Sequence, residues 1–366
     1  MKTIFNSKTH PALIYFFLLI FAFVLGACNT TEPPDGDGDN KPDTTSHNFT
    51  WETFTFGEQS SSVLYDVAII DENNIWAVGE IYMYDSTGTI DPYPYNAIHW
   101  AGSEWELKKI IVEYKGNQTI APLYGIYVLP DGNIVFSSGL PYLPEGDDWK
   151  LYHLWEMGIL SDDDGSVKHI WGTSVNDLYF AGDRGTIVHY NGNRWLKIES
   201  GTELNIQDIY GSINTNNGEV EILCIASDKY QNNGYSLIKI VDNTADKLTA
   251  TELPWSLSSI WFIPGKKYYL GGDGLYMANN PERAWQKETN FPTYYKDRIR
   301  GIGYNDIVVS GSNGLLSHYN GNTWKHYMEE ELPYIVGRYS SVNIKGDIIV
   351  SVGYRDREAI IVLGKR

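Results

Sequence analysis

The sequence predicts an all-β protein, a seven-bladed β-propeller whose ring is closed by a strand from its own N-terminal side. Three observations carry that expectation: a degenerate repeat of suitable period, strand-and-turn composition inside each copy, and a last copy that stops one strand short.

The repeat is clearest in residues 171–195, Trp-Gly-Thr-Ser-Val-Asn-Asp-Leu-Tyr-Phe-Ala-Gly-Asp-Arg-Gly-Thr-Ile-Val-His-Tyr-Asn-Gly-Asn-Arg-Trp. Aligned on the glycine that ends the second apolar run, its copies place Gly79, Gly139, Gly182, Gly272, Gly311 and Gly353 in one column, with Ser227 in the same place. Successive positions lie 60, 43, 45, 45, 39 and 42 residues apart, the period of a four-stranded propeller blade. Helical repeats of similar length are excluded by composition. The copies hold β-branched runs such as Ile307-Val308-Val309 and Ile348-Ile349-Val350, broken by Asn-Asp, Asn-Gly and Gly-Asp pairs that favour turns.

Within the clearest copy, the apolar run 167–171 leads through Asn176-Asp177 into 178–181, then through Asp183-Arg184-Gly185 into 186–190. Asn191-Gly192 then delivers Trp195 to a fourth strand. Four short antiparallel strands, seven times over, make a radial array whose neighbouring blades bury each other's faces. The motif His-aromatic-Xaa-Gly-Xaa-Xaa-Trp occurs at His99, His189 and His318. In the last copy Ile361 to Gly364 fit its first four places, but the chain ends at Arg366, before the tryptophan is due. The segment from Trp51 to Phe56 begins with tryptophan, alternates and has no partner in its own blade. It is therefore expected to complete blade seven and remove an open sheet edge.

Recurring residues are assigned to packing. Trp51, Trp105, Trp195, Trp285 and Trp324 read as blade-to-blade core, and His99, His153, His189 and His318 as supports of the Asn-Gly turn, since third-strand positions in different blades stand too far apart to share a metal. Cys224, within Ile222-Leu223-Cys224-Ile225, reads as a buried strand residue. No metal or cofactor site is read, and the acidic loop 161–165 lacks a full calcium-loop spacing.

Positions the repeat does not explain are the candidates for function. Blade one carries an insertion between Gly79 and Asn96, and residues 141–148 read as a second one in blade two. Their aromatics Tyr82, Tyr84, Tyr93, Tyr95 and Tyr142 are expected to form an exposed surface for a glycan or a protein. Thirteen residues before each column glycine, on the inner strand, stand Asp66, Ile126, His169, Ser259, Arg298 and Ser340, with Asp208 equivalent in the longer blade four. Asp66, His169, Asp208 and Arg298 either converge on a polar ligand or line a wet channel and pair with one another.

Residues 171–195 resemble the tryptophan-and-glycine repeats of bacterial propellers related to the BNR or Asp-box group and to photosystem-assembly-factor-like proteins. The resemblance spans residues 49–366 and implies the propeller fold. Asp-boxes read Ser-Xaa-Asp-Xaa-Gly-Xaa-Xaa-Trp; Ser161, Asp163 and Gly165 match, but Lys168 stands at the anchoring tryptophan. No arginine triad with tyrosine nucleophile is assignable, and fold analogy settles no activity.

Residues 1–27 read as a signal peptide: Lys2 and Lys8 form a positive region, and residues 12–25 form an apolar stretch of 14, short of the about 20 that span a membrane. Leu25-Gly26-Ala27-Cys28 resembles the lipobox of bacterial lipoproteins. That resemblance implies cleavage before Cys28 and its lipidation, hence an anchor in the bacterial envelope, in the outer membrane rather than the inner. Residues 28–48, rich in Pro, Asp, Gly and Thr, read as a disordered tether, and 49–366 as the propeller. Signal removal takes two lysines and no acids, moving the net charge from −18 to −20. So acidic a chain disfavours nucleic acid. The expectation is a monomeric, envelope-anchored binding or scaffolding module for a protein or glycan, with a carbohydrate-active hydrolase or lyase at the channel mouth as the alternative.

Overall fold

Seven four-stranded antiparallel sheets account for the chain from residue 50 onward, apart from one separate two-stranded hairpin. The computed structural model describes residues 43–58, 61–215, 217–328 and 330–366. The signal peptide, Cys28 and the tether as far as residue 42 lie outside the described residues.

Blade three follows its sequence closely. Val167–Ser174 lines the channel and pairs with Asp177–Gly182, followed outward by Thr186–Tyr190 and Trp195–Glu199. Its apolar side chains do not form a core inside the blade. The buried hydrophobic residues fall into seven clusters, each joining two neighbouring blades, so the core is a ring of interfaces. This explains one glycine requirement: a Cβ on Gly211 of blade four would lie 2.4 Å from the Trp171 ring of blade three.

Ring closure is as expected. Thr50–Phe56 pairs antiparallel with Glu358–Lys365 as the outermost strand of blade seven, with Trp51 opposite Gly364. A Cβ on Gly364 would stand 2.3 Å from the Trp51 ring, which also lies edge-on to Tyr327 with centroids 4.7 Å apart. Residues 43–48, assigned to the tether from composition, are instead bonded to blade six. Thr45 Oγ1 donates to the Asn305 carbonyl at 2.6 Å, Asn320 Nδ2 to the Thr45 carbonyl at 3.2 Å, and Tyr327 to the His47 carbonyl at 2.8 Å. Local polarity reads as disorder when the partners lie some 260 residues away.

Blade two departs from its expected layout. Residues 141–148 are no insertion: Pro141–Glu145 and Asp148–Leu151 are its third and outer strands. Trp149 occupies the outer strand, donating to the Ile134 carbonyl at 2.8 Å and packing on Phe136. His153 falls beyond that strand and stacks on Tyr114. The long first step comes from the blade-one loop 82–94 and from a hairpin, Val112–Tyr114 with Asn117–Thr119, ahead of blade two.

The remaining repeat histidines brace a different turn from the one expected. His99 lies 3.0 Å from Asn74 Oδ1, His189 2.8 Å from Asp177 Oδ1, and His318 2.8 Å from Asp306 Oδ1. Each ring holds the side chain that opens the second strand, not the Asn-Gly turn beyond the third. Cys224 is buried as expected, and burial pushes its thiol up, away from reactivity.

Candidate functional site

The inner strands share one irregularity. In six of the seven blades the pairing with the second strand slips by one residue near the start, between Leu64 and Asp66, Val167 and His169, Ile206 and Asp208, Leu257 and Ser259, Lys296 and Arg298, and Tyr339 and Ser341. Each slip is a β-bulge, which leaves one extra residue unpaired and re-aims its side chain. The bulged residues are Tyr65, Lys168, Gln207, Ser258, Asp297 and Ser340, and all six line a cavity of about 400 Å³ at the channel mouth. The residues just after them lead deeper, to a cavity of about 690 Å³ lined by Asp66, His169, Asp208 and Arg298 among others.

The four polar residues expected on the inner strands therefore do share the channel. Asp208, 1% exposed, is saturated. Oδ1 accepts from Arg298 Nη1 at 2.5 Å and Arg300 Nη2 at 2.9 Å; Oδ2 accepts from Arg300 Nη1 at 2.9 Å, the Ser259 hydroxyl at 2.7 Å and the Ile260 amide at 3.1 Å. Burial pushes this carboxyl up, but Arg298 and Arg300 outweigh it and hold it below the usual carboxylate range. Asp66 accepts from Ser341 at 2.7 Å and from the amides of Val67 and Ile126. Burial, then the charge of Arg298, pushes the His169 imidazole down to about 3, so it is neutral at ordinary pH. Glycosidase chemistry needs two carboxylates free to move protons. Asp208, with both oxygens bound by guanidinium groups, is not one.

The mouth is less completely paired. Asp297 Oδ1 accepts from Lys229 Nζ at 3.1 Å and Arg338 Nη1 at 3.2 Å, while its Oδ2 is buried without a partner. Tyr65 and Tyr124 meet with ring centroids 5.1 Å apart, and Tyr230, 82% exposed, stands 3.5 Å by its hydroxyl from Arg338 Nη2.

The expected tyrosine surface divides. Tyr84 and Tyr93 are exposed in the blade-one loop. Tyr82 shares the Glu80 carboxylate with Tyr65, the two phenols donating at 2.9 and 2.7 Å. Tyr95 begins the third strand of blade one, half-buried beneath the Lys109 ammonium. Tyr142 is corrected outright: at 1% exposure it belongs to the core between blades one and two, because the segment read as a loop is a strand. In the acidic loop, Asp164 accepts from the amide and hydroxyl of Ser161 and pairs with Lys197 at 2.8 Å. Among the described residues no group of three or more His, Cys, Asp or Glu converges as for a metal.

Sequence reasoning missed the bulged column and its neighbours Tyr124, Lys229, Tyr230 and Arg338. The bulged residue stands just before five of the inner-strand candidates, as Tyr65, Lys168, Gln207, Ser258 and Asp297, but its constant spacing gives no sign of a bulge. Two alignment positions also move. The structure pairs Ser137, not Gly139, opposite Gly125, and Ala226, not Ser227, opposite Ile206. Ser341 rather than Ser340 is equivalent to Asp66.

Fold and mouth define a closed seven-bladed β-propeller with a polar axial channel. Similar solved structures include "YCF48 bound to D1 peptide" (TM-score 0.60, 14% identity, covering 89% of this chain and 100% of that one). "YCF48 from Cyanidioschyzon merolae" has TM-score 0.53 and 13% identity, covering 86% of this chain and 98% of that one. The WD40 propeller of Doa1 has TM-score 0.56 and 11% identity, covering 86% and 96% respectively. At such identities the likeness is one of fold. No protein-family model and no curated sequence matches the chain.

Proposed function

We propose that the protein is a binding module of the bacterial cell envelope, anchored through a lipidated Cys28 in the outer membrane, that receives a partner at the bulge-lined mouth. The observation that carries this reading is the bulged column: six blades present an extra residue to one cavity, and those residues are of five types, Tyr, Lys, Gln, Asp and, twice, Ser. Bulges of this kind re-aim side chains beside functional sites. Saturation of Asp208 favours binding over hydrolysis, and the similar YCF48 propeller with D1 peptide bound supports a recognition role for such a fold.

A photocrosslinking residue at Ser340, in the mouth, is expected to capture an envelope component, while one at Ile213, exposed at the end of the inner strand of blade four, captures none. Equal capture from both positions, or none from Ser340, contradicts a mouth-directed module. For the anchor, Cys28→Ala is expected to release the protein from the membrane fraction; full retention there contradicts it.

A further inference from the structure

We infer that the mouth takes an acidic saccharide, with a uronate carboxylate held by Lys229 and Arg338 and its ring laid against tyrosine. The inference rests on the binding-module reading and supplies its ligand class. Charge is the first argument. The cavity lining holds four cationic side chains, Lys168, Lys229, Arg298 and Arg338, and one carboxylate, Asp297. Lys168 has Asp183 at 2.6 Å, and Arg298 has Asp208, which also serves Arg300. Lys229 and Arg338 are left to share a single oxygen of Asp297. Arg298 and Arg300 share Asp208 but have the Asp66 carboxylate acting on Arg300 as well; Lys229 and Arg338 on Asp297 leave one positive charge to be matched, in a protein whose net charge is −18. Nothing in the overall composition requires such an excess, and a ligand carboxylate, with one negative charge, matches it through charge-assisted hydrogen bonds from the guanidinium and the ammonium.

The second argument is the wall. Four tyrosines face the cavity, Tyr65, Tyr124, Tyr230 and Tyr354, against one aliphatic side chain, Val63; the rest is polar. An anchoring peptide side chain is received by an apolar pocket. Phenol rings instead offer an apolar face with a polar edge, which matches a sugar ring with its C–H face and rim of hydroxyls. Gln207, Ser258 and Ser340 add amide and hydroxyl groups to that rim. The third argument is continuity. A second cavity of about 500 Å³ adjoins the first, with Arg338 and Tyr354 in both linings and the exposed Arg357 farther along. The two make a path for more than one residue of a chain; Asp356 lines the second cavity beside Arg357, so Arg338 remains the cation placed for a ligand carboxylate.

The test is calorimetric titration of the full chain in detergent with trimers of galacturonate, glucuronate and mannuronate, their methyl esters, and a tri-glutamate peptide. At least one acid trimer is expected to bind, with the matching ester about tenfold weaker or worse. Arg338→Gln and Tyr230→Ala should each weaken the acid trimer by about tenfold. Tyr230 is too exposed to hold the fold, so an unchanged melting temperature in Tyr230→Ala separates lost binding from lost structure. Binding of no acid trimer, equal affinity for acid and ester, or indifference to both substitutions overturns the inference. Binding of tri-glutamate alone also overturns it while leaving the binding module standing. Absence of crosslinking from Ser340 would instead remove the module itself.

Discussion

Asp208 and Asp297 lie in the same channel, each facing two cationic side chains, and they differ in how completely they are paired. Asp208 uses both oxygens for Arg298 and Arg300 and adds a hydroxyl and an amide. Asp297 offers one oxygen to Lys229 and Arg338 and leaves the other unpartnered. The partners differ in degree: Arg298 keeps 8% side-chain exposure and Arg300 20%, against 26% for each of Lys229 and Arg338. The Asp208 carboxylate is saturated and serves the fold, although Arg298 Nε beside it is buried without a partner. An under-paired cluster open to solvent holds charge in reserve for something that arrives.

The largest effect should come from the sealed cluster. Asp208→Asn strands two guanidinium groups and is expected to cost about 3 to 5 kcal/mol, read from urea unfolding. A loss below about 1 kcal/mol would erase the contrast. Acid offers a reagentless version. An unfolded chain takes up a proton on histidine near 6.5, whereas His169 in the channel resists until about 3. Protons thus bind the unfolded state first, and stability should fall as pH drops from about 6.5 toward 3. Asp208 adds to that loss below the usual carboxylate range, where the unfolded carboxyl is protonated and the folded one is not. A His169→Gln variant should flatten the upper part of this decline; an unaltered profile would place the titration elsewhere. Asp297→Asn should cost less than Asp208→Asn, about 1 kcal/mol, since Lys229 and Arg338 can rehydrate. At the small end, Tyr230→Ala should leave unfolding unchanged and act on ligand affinity alone.

How far the sequence reaches is best seen by setting blade three against blade two. Blade three carries every recurring letter, and its strands fall where periodicity puts them. Blade two has Pro141 and Pro144 on its third strand, and proline in a strand reads as a loop from sequence. A loop reading of that strand leaves Trp149, just past residues 141–148, without a place in the repeat and puts Tyr142 on the surface. Ring closure was legible because it depends on counting strands, and a missing one leaves a gap. The bulges were not, since the extra residue recurs in six copies and leaves the spacing unchanged. Blade seven shows the consequence. Its first turn is the tight Gly346-Asp347 pair, with Gly346 at φ 55°, and lacks the second slip seen at the corresponding place in blades one, three and six. One residue shorter there, it moved the candidate from Ser341 to Ser340. The electrostatic division of the channel was beyond reach for a different reason: it depends on which side chains meet across blades, as Arg298 and Arg300 of blade six meet Asp208 of blade four.

The most direct test of that division is the melting temperature of the full chain with and without an acid uronate trimer, in the wild type and in Arg338→Gln. A ligand that binds only the folded state raises it by mass action. The wild type should rise and Arg338→Gln should rise less; no rise in the wild type, or an equal rise in both, would contradict the assignment of the mouth as the binding site.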